Sequence, residues 1–131
     1  MITVTAPSRY RVQKKWVQNT AQQILVSEGI PDSVVNIVFV GKTTMTKLAT
    51  TYKGEKEALP VLAFPYKETV ENESVLGDIV ICYPQAVLLA SERNRMVSSI
   101  LTFLIHHAVT QLTGDIKTRY ALPQVPTTTH S

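Results

Sequence analysis

A single cysteine, Cys82, stands in the whole chain. That excludes an intramolecular disulfide and any cysteine-rich zinc site. It suits a reducing compartment, and the cytoplasm is the expected location. Long apolar runs are also missing. The longest, Ile100 to Leu112, is interrupted by threonine, histidine and glutamine, and none approaches the roughly 20 residues needed to cross a bilayer. No membrane partner is therefore expected. The opening stretch, MITVTAPSRYRVQKKW, lacks the apolar core of a signal peptide. No internal repeat and no second domain is evident.

What remains is an ordinary globular composition over 131 residues, a length that fits one domain. The formal net charge is +3. A mild positive balance permits contact with RNA or another polyanion without demanding it.

Hydrophobic periodicity divides the chain into eight elements. Ile2 to Val4 is a short candidate strand. Val12, Trp16, Val17, Ala21, Ile24 and Leu25 recur at helical spacing, so Val12 to Ser27 reads as an amphipathic helix. Gly29, Pro31 and Asp32 break it. Val34 to Val40 alternates as a strand. Thr43 or Thr44 is a candidate cap for a short helix ending near Thr51, followed by a charged loop around Gly54. Val61 to Phe64 and Gly77 to Cys82 are apolar strands, separated by a polar, acidic segment, Lys67 to Glu73, expected to be mobile. Pro84 favours a helix start. Arg95 to Thr113 is the longest helix, apolar nearly all round and so expected at the domain centre, with Gly114 closing it. The order β-α-β-α-β-β-α-α is that of an α+β or α/β layer. The domain is expected over residues 1–121, with a disordered tail over 122–131.

Three local features invite a chemical reading. VGKTT, Val40 to Thr44, resembles part of a phosphate-binding loop. The first glycine of that motif would fall on Asn36, inside a strand, so a strand-to-helix turn is the better reading. Cys82 ends an apolar strand and reads as a small buried hydrophobe rather than a nucleophile. In LIHHAVTQLTGD, Leu104 to Asp115, the adjacent His106 and His107 point roughly 100° apart on a helix and cannot hold one metal together. His107 and Gln111 share a face four residues apart. Two histidines at that spacing would suit zinc, but here the second position is an amide. From the residues alone, a hydrogen-bonded histidine in the core is the better reading.

Three segments together resemble the YbeY family of rRNA maturation factors, metal-dependent single-strand endoribonucleases. VLGDIVIC, Val75 to Cys82, is similar to the family's LGDI-V-I strand. TYKGEKEALPVLAFP, Thr51 to Pro65, is similar to Y-R-G-K-x-x-x-T-D-V-L-S-F-P. The stretch around His107 is similar to H-G-x-L-H-L-x-G-Y-D-H. The resemblance covers Ile2 to Lys117. It implies an α+β YbeY-like single domain: a mixed sheet of about four strands, with helices packed around a buried C-terminal helix.

The resemblance also implies a zinc site of three histidines, and here the chain departs from the pattern. His107 matches the first ligand, Gln111 stands at the second and Lys117 at the third. Lys53 replaces the family's arginine, Leu59 and Pro60 replace Thr-Asp, and Ala63 replaces serine; Gly77 and Asp78 are kept. Hydrolytic zinc needs three protein ligands and an open position for water, which one imidazole and one amide do not supply. The expectation is a scaffold with a dismantled ligand set and no bound metal, or zinc if other ligands, such as Asp115, rebuild the site. Lys53 and Asp78 are the candidate catalytic residues, and Lys53, Lys56 and Lys117, with Lys42 as a further candidate, the RNA-binding ones. The implied partners are ribosomal RNA or the small ribosomal subunit. The expected function is rRNA maturation or ribosome assembly by binding, with cleavage impaired or lost; the alternatives are an active metal-dependent single-strand endoribonuclease using non-standard ligands and a protein-interaction module without RNA activity.

Overall fold

A computed structural model describes residues 1–66 and 75–120, with side chains up to Gly114. The acidic segment 67–73 and the tail 122–131 lie outside the described residues. The elements follow the expected order: β1 (Ile2–Thr5), α1 (Lys14–Ser27), β2 (Val34–Val40), α2 (Lys42–Lys53), β3 (Val61–Pro65), β4 (Val75–Cys82), α3 (Tyr83–Glu92) and α4 (Val97–Tyr120).

The four strands form one mixed sheet in the order β1-β2-β4-β3. β1, β2 and β4 run parallel, and β3 is antiparallel to β4 at the edge. The alternation read in β2 sorts its side chains. Val35, Ile37 and Phe39 enter the larger core with Ile79 and Ile81 of β4. Val40 points the other way, into a smaller cluster with Val80, Cys82, Leu62 and Met45 of α2. The sheet is thus covered by α1, α3 and α4 on one face and by α2 on the other.

One irregularity breaks the β2–β4 ladder. Val34 pairs with Val75 and Val35 with Gly77, so Leu76 is an extra residue on β4. The bulge turns Leu76 into the larger core, where it is 2% exposed. Gly77 permits it. Its φ is +154°, and a Cβ there would overlap the carbonyl oxygen of Phe64 and lie 2.9 Å from Leu112 Cδ2.

α4 forms the centre of the larger core. Ile100, Leu101, Leu104, Ile105, Ala108, Val109 and Leu112 are all buried. The helix is not buried all round, however: Phe103 is 56% exposed. Nor does Gly114 end it. The glycine has no positive φ and the helix continues to Tyr120. A glycine inside a helix costs about 1 kcal/mol relative to alanine, which continued backbone hydrogen bonding outweighs here. α2 also starts differently from expectation. Its N-cap is Gly41 in extended conformation, with no side-chain cap bond, so neither threonine caps it. Its other end closes on Gly54 in the left-handed conformation. Among the described residues, no single helix is long and apolar enough to cross a membrane.

Candidate functional site

The bulged strand β4 places Asp78 on the α2 face of the sheet. Its register partners are Asn36 on β2 and Phe64 on β3. Asn36 Nδ2 donates a 3.1 Å hydrogen bond to Asp78 Oδ1, and the Tyr66 hydroxyl donates a 2.7 Å bond to Oδ2. Both carboxylate oxygens are therefore engaged, which fixes the group's orientation. The bond to Asp78 is the main cause that raises the Tyr66 phenol above its ordinary range, with desolvation and the neighbouring negative charge acting in the same direction. Asn36 and Tyr66 carried no signal as site residues in the sequence. Asn36 comes to Asp78 through the register of two strands 42 positions apart, which no local motif encodes.

α2 brings Lys53 toward the same face. Lys53 occupies the last helical turn, where a cation complements the helix dipole. Beside it, the Tyr52 ring meets Phe64 edge-on at 5.1 Å. Lys53 and Lys56 are both exposed. Asp78, Tyr66, Phe64 and the Lys53 turn thus form one polar and aromatic neighbourhood at the β3 end of the sheet.

His107 lies on α4, whose buried residues pack into the larger core on the other face of the sheet from the α2 cluster. The imidazole is half-buried, with Nε2 inside the protein, and it stacks one turn from Phe103 at 6.2 Å and 14°. Gln111 is half-buried one turn further on. Because α4 runs on through Gly114, the backbone position of Lys117 falls ten residues beyond His107, about 15 Å along the helix. His107 and Gln111 thus stand one turn apart on α4, and Asp78 lies on the α2 face of the sheet. Lys117 stands apart along α4, its side chain outside the described residues.

Among the described residues, the donor set does not fit zinc: no three histidine, cysteine, aspartate or glutamate side chains come together to hold a metal. The positions implied by the resemblance supply one imidazole and one amide, and zinc sites are built from several charged or imidazole donors. Cys82 offers no substitute. It is fully buried, and burial pushes its thiol up, away from the reactive thiolate.

Comparison with known proteins places this arrangement. The profile described as Endoribonuclease YbeY matches residues 4–115. The Endoribonuclease YbeY of Desulforamulus reducens is 33% identical over 107 residues, which cover 76% of this chain and 70% of the relative. That of Alteromonas mediterranea is 32% identical over 95 residues, covering 72% of this chain and 60% of the relative. That of Dehalococcoides mccartyi strain 195 is 29% identical over 128 residues, covering 86% and 74%. The chain thus spans about 60–74% of the length of these relatives. The solution structure of TM1509 from Thermotoga maritima is similar in fold, with a TM-score of 0.63 at 24% identity, covering 87% of this chain and 73% of that one. With a family match over residues 4–115 and relatives more than 30% identical over most of its length, the chain belongs to the YbeY family.

Proposed function

We propose that this protein is an RNA-binding member of its family that serves ribosomal RNA maturation or assembly of the small ribosomal subunit in the cytoplasm, without metal-dependent cleavage. The observation that carries the reading is the state of α4. At the family's three ligand positions it presents His107, Gln111 and Lys117, the last about 15 Å from His107 along a continuous helix. Hydrolysis of a phosphodiester at a metal needs water held and activated by a fully ligated ion, and this donor set does not provide for one.

RNA binding does not depend on that ion. Lys53 and Lys56 are exposed, and with Lys117 they are the proposed phosphate contacts. Such contacts position a strand without reading its sequence. Asp78, held by Asn36 and Tyr66, acts in this reading as a fixed acceptor that shapes the surface, not as a free general base.

The test is binding of a labelled single-stranded RNA in the presence of a chelator, across a salt series. The reading predicts saturable binding that weakens steeply with salt, by a log–log slope of about 0.7 for each phosphate neutralised, and a shallower slope for Lys53→Ala/Lys56→Ala. Absence of binding under chelation, with binding restored by zinc, would overturn it.

A further inference from the structure

A second surface, remote from Asp78 and His107, combines a cavity with a concentration of positive charge. The cavity, of about 300 Å³, lies where α1 and α4 begin, and its wall includes Arg11, Gln13, Trp16, Tyr83 and Met96. Its wall includes Val97, ten residues or about 15 Å of helix from His107. Tyr83 follows the carboxyl end of β4, the end of a parallel sheet where ligand crevices form. The segment after β1 crosses there. Its Tyr10 ring stacks on Tyr83 at 5.0 Å, and the Arg9 guanidinium lies 4.9 Å from the Tyr10 ring centre.

The N-terminal segment that supplies one wall of this cavity carries charge of one sign. No aspartate or glutamate occurs before Glu28, whereas Arg9, Arg11, Lys14 and Lys15 all fall in that stretch and are exposed. Lys14 and Lys15 are the first two residues of α1. The helix dipole disfavours cations at that end, and Gln13 provides no side-chain cap. The sequence thus places cations where they weaken the helix, beside a cavity walled by Trp16 and Tyr83. Met96, at the rim, is 73% exposed. Aromatic faces next to a cationic track are the features that hold single-stranded nucleic acid, bases stacking on the rings while phosphates meet the cations.

We infer that this cavity is a nucleobase-stacking pocket for single-stranded RNA, with Arg11, Lys14 and Lys15 holding the adjacent phosphates. The inference rests on the RNA-binding reading above and adds a second contact surface to it. A cavity near the lower end of ligand-site volumes suits one base rather than a folded partner, and the acid-free segment complements a polyanion.

Trp16 is the only tryptophan, so its fluorescence reports directly on the pocket. The experiment titrates the protein with oligouridylate, following Trp16 emission and, in parallel, the anisotropy of a labelled copy of the same oligomer. The expected result is quenching that saturates together with the anisotropy. Arg11→Ala/Lys14→Ala/Lys15→Ala, all at exposed positions, weakens binding roughly tenfold or more at low salt and lowers the salt slope by roughly 2. Met96→Asp, at the exposed rim, reduces the quenching without removing a cation. Anisotropy binding with no quenching, unchanged in both variants, overturns the pocket and leaves the RNA reading standing. No binding in either signal overturns both. Quenching by polyglutamate as strong as by RNA assigns the face to an acidic protein and also overturns the pocket.

Discussion

The Tyr66 hydroxyl donates a 2.7 Å hydrogen bond to Asp78, joining the end of the edge strand to its neighbour across the face that carries the Lys53 turn. The bond raises the Tyr66 phenol, so the folded state holds that proton more tightly than the unfolded chain does. Its contribution to stability is full below the unfolded value near 10.0 and is lost as pH rises through the higher folded value. Denaturant titrations from pH 8 upward should show the parent losing more stability above about pH 10 than Tyr66→Phe. The difference is small because Tyr66 is 41% exposed. Equal alkaline losses in the two proteins would contradict the coupling.

Gly77 should not tolerate a side chain. Gly77→Ala forces a Cβ into the carbonyl of Phe64 and against Leu112, at a φ of +154°. We expect a loss of about 3 kcal/mol or more, seen as a fall of roughly 10 °C in Tm. Gly41→Ala is the control. There the added Cβ meets only the ends of the Tyr10 and Arg9 side chains, at 2.9 and 3.0 Å, which can move aside. A similar loss in both variants would show that the bulge is not under the constraint described.

α4 should be sharply two-sided in its response to mutation. Ile105, fully buried, should cost about 2–5 kcal/mol on truncation to alanine. Phe103→Ser, at an exposed position two residues away, should stay within about 0.5 kcal/mol. Urea unfolding of the two variants checks this. A large loss at Phe103 would mean that this side of the helix is covered.

The apolar periodicities made most of the fold legible. β2 alternates and packs as its pattern implies, and α4's apolar residues fill the larger core. The capping signals were less reliable because neighbouring residues compete for the role. Gly41 takes the cap expected of Thr43 or Thr44, and Gly114, a good stop residue, lies inside a helix that continues. The site was only half legible. His107 and Gln111 were legible as neighbours on one helix face, because helical spacing is local, and they stand one turn apart on α4. Asn36 gained its role through strand register, and Tyr66 by its place just after β3. The acid-free stretch before Glu28 is visible in the sequence; the cavity beside it depends on α3 and α4 and is not.

The most direct test of the account is to incubate single-stranded RNA with protein purified without a metal-binding tag, with and without added zinc, and to follow cleavage and binding in the same samples. The account predicts intact RNA in both, with affinity unchanged by zinc or by a chelator. Zinc-dependent cleavage, abolished by the chelator and by His107→Ala, would show that α4 still assembles a hydrolytic metal centre and would contradict it.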